Sequence, residues 1–252
     1  SSNYFQEQFS NRLISILLIS FFSVLLFIYS GAISNQLNAT AKRFEKVAGF
    51  LSSFVKYSLR YVALYSLIHL AQSLGVFGIR GDLIAENFYV WVGYFILALW
   101  LAERLQMSWL GFETDKVNHR NIEKFSVLGA VILVAQDYGS ELSRLQLIEQ
   151  QSYEVFTSAI TVLAGIMLWR ISALMKLVVS DDTSSGNLRL KLLGFLRRII
   201  VGVAIISPLI AAIGYVNAGS AIAVPMVKTL GLLALIVILQ RLTFDLYAAI
   251  LN

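Results

Sequence analysis

The side chains able to do chemistry are few and widely spaced. His69 and His119 are the only histidines, and Glu86, Asp137, Glu154, Lys228 and Asp245 are the ionisable groups in or beside apolar stretches. A metal site or proton relay would need carboxylates or further histidines at helical spacing around the two imidazoles. The two stand in separate segments, His69 in the second span and His119 in the polar connection Glu113 to Lys124, and packing or interfacial roles are expected of them. The chain has no cysteine, so thiolate ligation, thiol catalysis and disulfides are excluded. HExxH, GxSxG, paired-aspartate and P-loop patterns are all missing, and with them any basis for an enzyme class, a cofactor or a metal site. An intramembrane charge is a functional candidate by default because of its cost. These five, however, fall within about two turns of an expected helix end, where snorkelling keeps them hydrated. Lys228, read as lying near the outer end of the last segment, is the foremost exception.

The elements that must position these groups are membrane-spanning helices. Of 252 residues, 58% are hydrophobic and 14% charged, and the mean hydropathy is +0.73, too apolar for a water-facing surface. The apolar runs approach the roughly 20 residues a helix needs to cross about 30 Å of hydrocarbon. The alternating short strands of a β-barrel are absent. The expected class is an all-α polytopic membrane protein of about seven spans: Leu13 to Ser34, Leu51 to Leu74, Leu83 to Ala102, Phe125 to Tyr138, Tyr153 to Met175, Leu192 to Val216 and Ala221 to Leu246. The fourth is the shortest and must draw on the loop after it to cross. The chain opens at Ser1 with neither a methionine nor a signal-peptide pattern, and reads as an internal or processed piece of something longer.

Charge placement orients the bundle. Lys42, Arg43, Lys46, Lys56 and Arg60 follow the first span; Arg104, Lys116, Arg120 and Lys124 the third; Arg170, Lys176, Arg189, Lys191, Arg197 and Arg198 the fifth. The even connections hold only Arg80 and Arg144. By the positive-inside rule the odd connections are cytoplasmic, the amino end is outside and the carboxyl end, beside Arg241, is inside. A net charge of +5 is thereby explained by topology, without nucleic acid. Trp91, Trp100, Trp109 and Trp169 fall mainly toward span ends, as interface anchors do.

A repeat runs through the spans. Arg60 to Gly75 and Lys124 to Gly139 are each 15 residues apart, and Arg198 to Gly214 is 16. Each pair encloses an apolar run between a basic start and a glycine. Leu97-Ala98 to Arg104 and Leu163-Ala164 to Arg170 share one spacing on the return, and Leu233-Ala234 reaches Arg241 one residue later. The expected organisation is an amino-terminal helix and linker (1–46) followed by three helical hairpins (47–121, 122–188 and 189–252), with Gly75, Gly139 and Gly214 at the outer turns. Arg60, Arg104, Lys124, Arg170, Arg197, Arg198 and Arg241 are the expected anchors to anionic lipid headgroups on the cytoplasmic side. Pro208 and Pro225 bracket the last outer turn, and Pro208 is expected to kink its helix.

Seven spans with the amino end outside also describe rhodopsins and G-protein-coupled receptors. Lys228 is too near the helix end for a retinal lysine, the third span lacks the opposing carboxylates, and Glu103-Arg104 comes with neither a cysteine pair nor NPxxY.

The stretch from Leu190 to Asn252, with Leu196-Arg197-Arg198, Ile213-Gly214-Tyr215 and Leu239-Gln240-Arg241-Leu242, resembles the membrane region of large MscS-superfamily mechanosensitive channels, the MscK-like members with extra amino-terminal helices. The resemblance covers about a quarter of the chain. It implies a bacterial inner-membrane ion channel, a homo-oligomer (heptameric in that family), opened by bilayer tension. The long Gly/Ala-rich pore helix and the β-rich vestibule of the family are missing here, so the resemblance implies a peripheral, tension-sensing portion whose pore lies elsewhere. From a different class, the alternative is a solute transporter or a membrane scaffold subunit, for which broken helices and mid-membrane polar groups are the marks.

Overall fold

The computed structural model describes residues 2–40, 45–106, 119–180 and 188–251. Among these residues every element is an α-helix: α1 (Ser2–Thr40), α2 (Glu45–Ser73), α3 (Gly78–Ala85), α4 (Phe88–Gln106), α5 (His119–Arg144), α6 (Gln150–Ser180), α7 (Leu188–Ala212) and α8 (Val216–Leu251). Seven are long, in keeping with the seven spans expected. The physical reason is that hydrocarbon offers no hydrogen-bond partner, so a spanning segment must satisfy its backbone internally. Five stretches are long and apolar enough to cross a membrane: Ser15–Asn38, Gly81–Leu105, Gln150–Lys176, Lys191–Ala212 and Val216–Ala248. The protein is a membrane-embedded helical bundle. α2 and α5 are not among the five, since Lys56, Arg60 and a row of serines interrupt the one and charged ends flank the short apolar centre of the other.

The third span is interrupted. Glu86 and Asn87 separate α3 from α4, with Glu86 N–H donating to the Asp82 carbonyl (3.0 Å) and Asn87 N–H to that of Ile84 (3.0 Å).

Three reversals share one hydrogen-bond pattern. Val76 N–H donates to the Ala71 carbonyl (3.2 Å) and Gly75 N–H to that of Gln72 (2.9 Å). Tyr215 and Gly214 repeat this on Ile210 and Ala211, and Leu147 and Gln146 repeat it on Leu142 and Ser143. This is the Schellman closure, whose penultimate residue must be left-handed. Gly75 (φ 65°) and Gly214 (φ 104°) occupy that position as expected, but the third is Gln146 (φ 53°). Gly139 is therefore not a turn residue. It sits inside α5, which runs on to Arg144, and it is small because a methyl group there would lie 2.6 Å from the Phe156 ring. The last reversal is at Gly214, and α8 starts directly after it at Val216 rather than near Ala221.

The chain divides into two compact units, Ser1–Trp100 with Leu242–Asn252, and Leu101–Arg241. In the first, α1 packs along α2. α4 meets α2 through an aromatic face in which Trp100 is edge-on to Phe50 (5.6 Å) and Phe54 (6.3 Å), and Tyr89 is edge-on to Tyr65 (6.2 Å). In the second, α5, α6, α7 and α8 share a core of Ile132, Ile160, Ala164, Met167, Leu168, Ile200, Ala204, Ala223 and Val227.

Candidate functional site

In the first unit the polar residues of α1 and α2 face each other. Ser23, Ser30 and Ser34 of α1 are buried, as are Ser52 and Ser53 of α2. Their spacing of seven and four residues keeps the α1 serines on one helical stripe. Three of these hydroxyls donate to their own helix: Ser23 Oγ to the Ile19 carbonyl (2.7 Å), Ser30 Oγ to that of Phe27 (2.8 Å) and Ser52 Oγ to that of Gly49 (3.0 Å). Two of them also reach across: Ser23 Oγ and Ser66 Oγ are 2.7 Å apart, and Arg60 Nε donates to Ser30 Oγ at 3.2 Å.

Arg60 is the centre of this seam. Its guanidinium carbon lies 5.6 Å from the Phe27 ring centre and 5.6 Å from that of Tyr57, so the negative faces of two rings surround the charge that the serine anchors. Each such pairing contributes about 0.5–2 kcal/mol, more when water is excluded. The sequence pattern cast Arg60 as a lipid anchor; in the structure its half-buried head group is engaged with α1. Arg104, another expected anchor, is enclosed by the protein. It is only 5% exposed and interacts within the protein, as a buried charge must.

In the second unit the helices approach through missing side chains. A methyl group on Gly165 of α6 would lie 2.5 Å from Pro208 Cγ and 2.9 Å from the Ala204 carbonyl oxygen of α7. The two facts have one cause: a proline at 208 brings no N–H to the carbonyl four residues before it, and α6 lays a glycine against that carbonyl. On a neighbouring strip of α7, a methyl on Gly219 of α8 would lie 2.6 Å from the Ser207 carbonyl oxygen and 3.1 Å from Ala211 Cβ. Small residues that let backbones touch are the usual means of helix association in lipid. Ser207, fully buried, donates to the Val203 carbonyl (2.7 Å).

Of the remaining expected anchors, Lys124, Arg170, Arg198 and Arg241 are exposed and Arg197 is half-buried. Arg241 interacts within the protein. His69 is exposed and stacks on Tyr65 (centroids 6.2 Å apart, planes at 6°), which in turn stacks on Tyr61 (6.4 Å); this is the packing role expected of it. His119 opens α5. Glu154 accepts from Gln150 Nε2 (3.1 Å), and Glu141 pairs with Arg144 (2.7 Å). Lys228 is exposed, but the early start of α8 places it twelve residues into the helix, about 18 Å from Val216. It is not near the outer end as its sequence position implied. Trp109, Lys116, Asp181, Asp182, Lys42 and Arg43 lie outside the described residues. Compared with known proteins, the chain matches no family model, no curated protein and no solved structure.

The interior seam between α1 and α2 was not foreseen. Its one sequence signal is the serine stripe at 23, 30 and 34 within an otherwise apolar helix. The arrangement offers no nucleophile beside a base, and among the described residues no three His, Cys, Asp or Glu side chains gather to hold a metal ion. What it provides is two modes of helix adhesion under a largely apolar exterior.

Proposed function

We propose that the chain is the tension-sensing membrane region of an ion channel, peripheral to a pore supplied by another part of the protein or by neighbouring copies. The observation that carries this reading is the extent of apolar surface that the spans leave uncovered by the rest of the chain. In the most apolar windows only 11% of α1 and 39% of α6 is buried within the protein, with 22% for each of the other three spans. Phe21, Phe22, Ile28, Leu163, Ile166, Leu209 and Leu232 are among the large apolar side chains left exposed. Stretching a bilayer shifts an equilibrium only through a difference in area or lipid contact between its two states, and a bundle with so much lipid contact has that difference available. The likeness of Leu190 to Asn252 to MscS-superfamily channels adds to it. In this reading the protein is a homo-oligomer in a bacterial inner membrane, with its amino end outside and carboxyl end inside.

Patch recordings from membranes expressing the protein test the proposal. The expected result is a current that opens with applied suction, and an R197Q/R198Q variant that shifts the opening threshold while leaving unitary conductance alone. Membranes that carry the protein but show no stretch-activated current would sink it. Solute uptake indifferent to stretch would favour the transporter class.

A further inference from the structure

Two separate contacts fix the height of Lys228 in the second unit. Val227 Cγ1 lies 3.7 Å from where a Cβ on Gly129 would stand, with Met167 Cε at 3.8 Å, so Gly129, Met167 and Val227 form one layer of α5, α6 and α8. Gly219 abuts Ser207 and Ala211, and nine residues further along α8, about 13 Å, Lys228 comes level with Ile200 of the antiparallel α7. Ile200 is a member of the same buried cluster.

Four other cations of this bundle lie near that height and on the same side of the layer, while Lys176, Lys191 and Arg241 lie further along the same direction and Arg144 at the opposite end of α5. Lys124 is five residues before Gly129, Arg170 three residues beyond Met167, and Arg197 and Arg198 stand just before Ile200. At 1.5 Å per residue the five fall within about 10 Å along the bundle axis. Lys124, Arg170, Arg198 and Lys228 are exposed, and the buried Nε of Arg197 has no hydrogen-bond partner. None of the five has an ion-pair partner among the described residues, and Glu123 is the only carboxylate these helices bring to that height.

The opposite boundary is aromatic. Tyr153 and Phe156 flank Gly139, which sets Tyr138 at their level, and Tyr215 stands at the α7–α8 turn. From Tyr153 to Arg170 is seventeen residues, about 25 Å, close to the thickness of a hydrocarbon core. No charged residue interrupts α6 between Glu154 and Arg170. Trp169, exposed beside Arg170, completes the signature of an interface on the cationic side.

We infer that Lys124, Arg170, Arg197, Arg198 and Lys228 form one belt around the second unit that binds phosphate groups of anionic phospholipid, with Lys228 in the same leaflet as the arginines. The guanidinium groups offer forked donors suited to phosphate, and the two lysines add point charges. The inference does not rest on tension sensing and holds equally for a transporter.

Trp169 supplies the readout. In proteoliposomes of phosphatidylcholine and phosphatidylglycerol, bromine on the phosphatidylglycerol should quench its fluorescence more strongly than bromine on the phosphatidylcholine, with a W169F variant giving the background of the other tryptophans. That enrichment should fall about five-fold in R198Q and by a similar factor in K228Q, one basic group's share at an anionic surface, and should survive in K228R. Enrichment lost in R198Q but unchanged in K228Q would overturn the placement of Lys228. Enrichment abolished by inorganic phosphate in the buffer would overturn the lipid assignment in favour of a soluble phosphate compound. Equal quenching by both lipids in the unmodified protein would remove the belt altogether.

Discussion

Between α1 and α2 the helices are joined by polar side chains, whereas between α6, α7 and α8 they are joined where side chains are missing. The first seam relies on hydroxyls and one arginine that reach across a gap: Ser23 to Ser66, and Arg60 to Ser30 with Phe27 and Tyr57 around it. The second relies on Gly165 and Gly219 seated against backbone carbonyls of α7. Lipid tails are as apolar as leucine, so neither seam draws on a hydrophobic driving force. The two differ in tolerance. A polar bridge that is lost leaves room for relaxation, while a filled gap between backbones leaves none.

The largest effect is expected where there is no room. Gly165→Ala should destabilise the second unit by about 2–3 kcal/mol through overpacking, whereas Gly202→Ala, with nothing within 4 Å of the added methyl, should be neutral or gain up to about 1 kcal/mol from helix propensity. Denaturant titration of helicity in mixed micelles gives both numbers. Equal tolerance at the two sites would break the comparison.

A smaller effect is expected at Arg60. A double-mutant cycle of R60Q and S30A should return a coupling of about 1 kcal/mol, since the bridge is charged on one side, and R60Q alone should cost more than S30A because it also gives up both ring contacts. A coupling near zero would mean that the guanidinium is held by the rings alone.

The smallest is the hydroxyl pair. Ser23→Ala and Ser66→Ala should couple by about 0.6 kcal/mol, the average for hydrogen bonds between membrane helices, because each serine retains its carbonyl acceptor within its own helix. A coupling as large as that of Arg60 with Ser30 would place the strength of the seam in its serines.

The helices themselves were legible in the sequence because their determinant is local: a run of apolar residues has to close its own hydrogen bonds. Gly75 and Gly214 were legible for the same reason, as glycine suits a left-handed helix end. Gly139 misled because a glycine inside a helix serves packing against Phe156, a contact no local pattern reveals, while the true reversal at Gln146 uses a residue with no turn signature. The height of Lys228 was lost through a similar confusion: the last span was read from Ala221, but the helix already runs from Val216, and Gly219 within it is packed on α7. Arg60 was recognised as a basic residue at a span, but Ser30 and Phe27 are thirty or more residues away on another helix, and register between helices is not written in either one.

The Arg60 clamp bears on the order in which the protein is made. α1 contains a stretch with mean hydropathy 2.4 and can partition into the bilayer by itself. α2 does not qualify on composition, and an arginine near the middle of an inserting helix costs about 2.5–3.5 kcal/mol. Ser30, Phe27 and Tyr57 offset part of that cost, and two of the three belong to the helix synthesised first. On these energetics α2 is expected to enter the bilayer as half of a pair with α1, and R60Q, which lowers its own insertion cost, to make it less dependent on α1.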